Sequence, residues 1–212
     1  MFLWGLLLVL TSITVATLIN TEQRGYTQGN ELRDDPCRDV TFIFARGTFQ
    51  PGLLGLFVGP ETCAALKIDH PDQVSCQGVG PAYTAGLQNL KEPEATTDVA
   101  INEAVSLFEL AALKCPKAKI FAGGYSQGAN VIHGAIPKLS KEVKDMVQGV
   151  VLFGFTRQKQ FNGQITGFPQ DRLKLYCYEG DTICHGGGLI GLEHLSYGEK
   201  AQNASDWLWS LV

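Results

Sequence analysis

The chain has 212 residues, with 17 Lys and Arg against 21 Asp and Glu, a formal charge of −4. That balance, with no basic cluster, gives no footing for nucleic acid. The length supports one good core and is too short for two ordinary domains once the N-terminal segment is set aside.

Residues Met1 to Leu10 are apolar and no charge appears before Glu22. The run dissolves into Thr11-Ser12-Ile13-Thr14-Val15-Ala16, so residues 1–16 read as a secretory signal; the stretch is at the short end for spanning a bilayer, and no stable membrane insertion is expected. Thr21 to Asp35 is polar and reads as an unstructured leader, making 17–35 a leader or pro-segment and 36–212 a single domain. Structure is expected to start at Asp39–Ala45, a β-branched and aromatic run typical of a strand buried on both faces. From Thr97 to Leu113 the apolar residues Ile101, Val105, Phe108 and Ala112 mark one helical stripe, with Lys114 and Pro116 suited to its end. Ala118–Gly123 and Gly149–Gly154 read as two more buried strands, and Arg172–Cys177, which alternates, as a strand toward an edge. A helix over Ala129–Ile136 and a closing helix over Tyr197–Val212 complete the pattern. Strands alternating with helices imply a parallel sheet covered on both faces.

Six cysteines, at 37, 63, 76, 115, 177 and 184, contain no C-x-x-C pair. In an oxidising compartment an even number implies disulfides rather than a metal site. Arithmetic cannot choose among the fifteen connectivities. Loop size favours Cys63–Cys76 and Cys177–Cys184, which leaves Cys37–Cys115. Asn203-Ala204-Ser205 is a sequon that could carry a glycan if exposed.

The strand before Gly124-Tyr125-Ser126-Gln127-Gly128 and the helix after it frame a Gly-x-Ser-x-Gly nucleophile elbow. A serine hydroxyl needs a histidine to take its proton, and that histidine needs a carboxylate to fix its tautomer. Of the downstream histidines, His133 lies two turns along the same helix and reads as a packing residue. His194, after a glycine-rich loop, is favoured over His185. Asp181 is favoured over Glu179 as the acid, because it follows a strand and lies between Cys177 and Cys184. The backbone N–H of Gln127 and of Thr48, at the end of the first strand, would supply an oxyanion hole.

Five segments taken together, Phe42-Ile43-Phe44-Ala45-Arg46-Gly47-Thr48, Cys76-Gln77-Gly78-Val79-Gly80, Cys115-Pro116 with Gly123 to Ala129, Cys177-x-x-Gly180-Asp181-x-x-Cys184, and His194-Leu195-x-Tyr197-Gly198, resemble fungal cutinases in the family's order. The resemblance implies a lidless α/β-hydrolase: a central five-stranded parallel sheet flanked by helices on both faces, a three-layer sandwich. It implies a secreted, extracellular serine esterase acting on cutin and short-to-medium acyl esters, with catalytic residues Ser126, Asp181 and His194 and oxyanion donors Thr48 and Gln127. It further implies Cys37–Cys115 and Cys177–Cys184, with Cys63–Cys76 like the third bridge of some members. No metal or cofactor is expected, and a monomer is. Many members have Ser where this chain has Thr48; the extra methyl restricts the rotamer. Tyr83, Leu87, Leu189, Ile190 and Leu195, with Leu192, are read as an apolar rim for acyl chains. The rival readings are an acetylxylan or related carbohydrate esterase and, from another class, a non-catalytic secreted surface-binding protein.

Overall fold

The computed structural model describes residues 29–68 and 70–212. The expected signal at 1–16 and the leader up to residue 28 lie outside the described residues. Among the described residues no helix is long and apolar enough to cross a membrane.

Five strands, β1 (Val40–Ala45), β2 (Val74–Gly78), β3 (Lys119–Tyr125), β4 (Val147–Phe153) and β5 (Leu173–Tyr176), form one parallel sheet in the order β2-β1-β3-β4-β5. The apolar runs of β1, β3 and β4 are continuous because both faces are covered. Ile43, Ala45, Ile120, Ala122, Val150 and Leu152 enter one core, beneath helices α3 (Asp98–Lys114) and α4 (Gln127–Ala135). Val40, Phe42, Phe44, Phe121, Val151 and Phe153 enter the other, beneath α2 (Val58–Ile68) and α7 (Ala201–Trp209). The remaining helical pieces are α1 (Glu31–Asp34), α5 (Lys141–Met146) and α6 (Leu192–Leu195). The closing segment opens with a 3-10 turn at Tyr197–Lys200 before α7 begins.

Helix α3 starts where Thr97 accepts a hydrogen bond from Ala100 N at 3.1 Å. Its buried face is Ala100, Ile101, Ala104, Leu107, Phe108 and Ala111, whereas Val105 and Ala112 are half-buried. The expected stripe is therefore rotated, because small alanines let the helix approach the sheet closely.

The polar leader ends earlier than expected, since residues 29–35 are folded. Asn30 bridges Gln77 of β2, and Glu31 holds Lys67 at 2.6 Å and accepts the Cys76 N–H at 2.8 Å. This segment covers the β2 edge, which would otherwise present unpaired backbone groups. Three disulfides, Cys37–Cys115, Cys63–Cys76 and Cys177–Cys184, tie the first strand to the end of α3, α2 to β2, and the loop after β5 to itself. Asn203 is exposed on α7, with its Oδ1 taken by Tyr176 OH at 2.9 Å and Lys174 Nζ at 3.1 Å, while Ser205 of the sequon is buried.

Candidate active site

The order of the sheet reverses between β1 and β3, and a crevice opens past the carboxyl ends of strands at such a point. Thr48 leaves β1 there and Ser126 leaves β3. Ser126 has φ 55° and ψ −119°, a region nearly closed to residues with a side chain. Its N–H is held by Phe153 O at 2.9 Å, and its own carbonyl receives Ala129 N–H at 3.0 Å. The turn closes only because Gly128 has no side chain: a Cβ there would overlap the Ala45 carbonyl.

Imidazole and carboxylate come from the loop beyond β5. His194 Nε2 lies 2.9 Å from Ser126 Oγ, and its Nδ1 lies 2.8 Å from Asp181 Oδ2. His194 and Asp181 are 1% and 0% exposed, so the contact is dry. Asp181 accepts two further hydrogen bonds, from Ile183 N–H at 3.0 Å and from the Tyr197 hydroxyl at 2.7 Å. Burial, followed by the bond to Asp181, raises the Tyr197 phenol far above its ordinary range, so it remains a neutral donor. With three donors on the carboxylate, Nδ1 carries the imidazole proton and Nε2 is left to accept from Ser126. The Tyr125 hydroxyl donates to His194 O at 2.8 Å, fixing the loop to the elbow. Gly154, at φ +55°, leaves room for the ring: a Cβ there would stand 2.7 Å from His194 Cε1. Asp181 is enclosed by the Cys177–Cys184 bridge, which spans seven residues.

Above Ser126, Gln127 Nε2 donates to Thr48 Oγ1 at 3.3 Å and to Gly86 O at 3.0 Å. Since Thr48 Oγ1 accepts, its own proton is free to point into the cleft. Gln127 is the first residue of α4, whose N–H has no intrahelical acceptor. Among the described residues the Thr48 N–H donates to no protein group. Thr48 and Ser126 line the same cleft, with the Gln127 N–H next in the chain to the serine.

The cleft of about 600 Å³ in front of Ser126 is lined by Leu87, Ile190 and Leu195, as expected from the sequence, and also by Phe49, Phe57, Leu90, Thr156 and Arg157. Three rim residues are corrected. Tyr83 is fully buried: its hydroxyl donates to Arg46 O at 2.8 Å and its ring lies under the Arg46 guanidinium, so it braces the turn carrying Thr48. Leu189 is 78% exposed but does not line the cleft; its carbonyl is held by the Thr182 hydroxyl at 2.7 Å. Leu192, at 79%, is also outside it. His133 is buried between Phe155 and Phe161, with Nε2 at 3.2 Å from Gln164 O. His185 is exposed and its Nε2 lies 3.5 Å from Cys177 Sγ, away from the serine.

Sequence reasoning missed Tyr197 and Tyr125 as supports, and Phe49, Phe57 and Arg157 in the cleft. A position next to Thr48, or membership of the elbow, carries no signal for such roles; only the folded loops bring them together.

A parallel five-stranded sheet with a strained serine at the strand–helix turn defines an α/β-hydrolase. The cutinase family profile matches residues 36–212. The chain is 48% identical over 203 residues to probable cutinase 3 of Aspergillus fumigatus, covering 94% of each chain. It is 47% identical over 207 residues to cutinase 3 of Emericella nidulans, covering 97% of this chain and 93% of that one. Among solved structures it is similar to Trichoderma reesei cutinase in complex with a phosphonate inhibitor, with a TM-score of 0.76 and 30% identity over 91% of this chain and 84% of that one. An acetylxylan esterase shares the fold at a TM-score of 0.62 and 19% identity, covering 82% of this chain and 99% of that one. The chain belongs to the cutinase family and is a carboxylic ester hydrolase.

Proposed function

We propose that this protein is a secreted serine esterase that hydrolyses cutin and short-to-medium acyl esters, with Ser126, His194 and Asp181 as its catalytic residues. The observation that carries the reading is the unbroken chain Ser126 Oγ–His194–Asp181, with bonds of 2.9 and 2.8 Å, at the mouth of an apolar cleft.

In this mechanism His194 Nε2 takes the hydroxyl proton as Ser126 Oγ attacks the ester carbonyl carbon. Asp181 stabilises the imidazolium that results. The N–H groups of Gln127 and Thr48, with the Thr48 hydroxyl, receive the negative charge that builds on the carbonyl oxygen. The tetrahedral intermediate collapses, His194 gives its proton to the departing alcohol, and an acyl-serine remains. Water, deprotonated by the same imidazole, attacks the acyl-serine and releases the acid. His194 must be neutral to accept the proton, and the Nδ1 bond to Asp181 holds Nε2 toward the serine. Leu87, Ile190 and Leu195 support an acyl chain along the cleft, each roughly half or more exposed in the free enzyme. The three disulfides suit an extracellular protein. The site is complete within one chain, which supports a monomer acting alone.

The test is turnover of p-nitrophenyl butyrate by wild type and Ser126→Ala. Loss of at least about 10³-fold in kcat supports the reading. A Ser126→Ala protein that keeps more than a tenth of wild-type turnover removes Ser126 from the role.

A further inference from the structure

Among the described residues lining the cleft, Arg157 is the single permanently charged side chain. It stands in the segment that leaves β4, which touches the His194 ring at Gly154 and lines the cleft at Thr156 and Arg157. A guanidinium has five N–H donors in a planar fork. Among the described residues none of those of Arg157 makes a hydrogen bond, and Nε is fully buried without a partner. The guanidinium carbon lies 5.3 Å from the Phe161 ring centre, and Nη1 reaches the nearest acid, Glu94 Oε2, only at 4.0 Å. The side chain is 16% exposed and only Nε is sealed from solvent, so both Nη groups stay open towards the cleft, while Glu94 is 48% exposed and does not line it.

An under-bonded cation in an apolar esterase cleft is costly unless something in the cleft uses it. The group that fits the fork is a carboxylate, taken side-on by two parallel bonds. Ester hydrolysis itself makes that group: each cut in a diacid–diol polyester leaves a chain end whose acyl unit bears a free acid. The protein as a whole carries −4, so attraction for an anion is local to this residue.

We propose that Arg157 is a subsite for a second, free carboxylate on the acyl chain, so that half-esters of dicarboxylic acids and acid-ended fragments of diacid–diol polyesters are preferred substrates. The assignment rests on the serine-esterase reading of the same cleft. Arg157 binds and orients the distal acid, and takes no part in proton transfer.

The experiment compares kcat/KM for monoethyl esters of adipic, suberic and sebacic acids with ethyl hexanoate, octanoate and decanoate, each pair matched in length. The readout is the ratio of half-ester to neutral ester. In Arg157→Gln this ratio falls about tenfold or more at the preferred length, chiefly through KM. In Arg157→Lys it falls less, because the charge remains and the fork is lost. In Glu94→Gln, an exposed change, the ratio rises as the competing acid is removed. Unchanged ratios in Arg157→Gln and Glu94→Gln overturn the proposal. A separate arm measures calorimetric binding of monoethyl adipate to Ser126→Ala, with and without Arg157→Gln. Binding that weakens with Arg157→Gln and with added salt supports the subsite even if Ser126 is not the nucleophile; binding indifferent to both sinks it.

Discussion

Replacing Ser126 by glycine rather than alanine separates backbone strain from chemistry. Both variants lose the 2.9 Å bond to His194, so that loss cancels between them. They differ in a Cβ held at φ 55°, ψ −119°. A residue confined to so sparse a region stores about 1–3 kcal/mol. Glycine returns about 0.4–1 kcal/mol of that through the greater freedom of its unfolded chain. The net expectation is that Ser126→Gly is more stable than Ser126→Ala by about 0.5–2 kcal/mol, a Tm difference of roughly 1–8 °C for a chain of this size. Calorimetry and urea unfolding of the two oxidised proteins measure it, with an unchanged m-value showing that the unfolded state is comparable. A glycine variant no more stable than the alanine variant would refute the strained elbow.

Three other perturbations test the frame around the serine. Gly154→Ala places a methyl where His194 Cε1 would be 2.7 Å away and asks alanine to adopt φ +55°, so kcat/KM should fall about 10²-fold; an unaffected rate would mean the ring has room to spare. Tyr197→Phe removes a donor from the buried Asp181 carboxylate and the acceptor of Tyr178 N–H, and should cost about 1.5–3 kcal/mol in urea unfolding with little change in KM; equal stability would show that Asp181 does not depend on it. Burial lowers the pKa of His133, with Arg157 adding to the effect and the Gln164 carbonyl and Glu94 opposing it. Its folded pKa therefore lies below its unfolded value of about 6.5, so the unfolded chain takes up the proton first as pH falls. Its contribution is fully present above that value and is lost in acid below it. The stability of wild type relative to His133→Gln should thus decline as pH drops from 7.5 to 5, and parallel stability profiles would contradict the assignment.

The strands β1, β3 and β4 could be read from sequence because residues buried on both faces leave no polar interruption. Strand β2 carries no such pattern: Ser75 and Gln77 interrupt it, yet both are buried, and Gln77 is satisfied by Asn30, Gly78 O and the Arg33 N–H. The same residues explain why the folded end of the leader carries no sequence signal, since polar Asn30 and Glu31 gain their partners only against the folded edge. That Ser126, Asp181 and His194 meet is foreshadowed in the sequence, because the elbow motif, cysteine spacing and chain order single them out as candidates. The cleft wall was less legible. Tyr83 and Leu87 are four residues apart in one loop, yet one is fully buried and the other is 53% exposed in the cleft, a difference set by the Arg46 guanidinium that Tyr83 packs beneath. Phe49 and Arg157 lie more than a hundred positions apart and meet only across the sheet's carboxyl edge.

The central claim, that Ser126 is the nucleophile, is tested most directly by covalent trapping. The protein is treated with an alkyl p-nitrophenyl phosphonate while esterase activity and intact mass are followed together. The account predicts one adduct per chain, located by peptide mapping on Ser126, with activity lost in proportion to labelling. Full activity with Ser126 labelled, or inactivation by an adduct elsewhere, would contradict it.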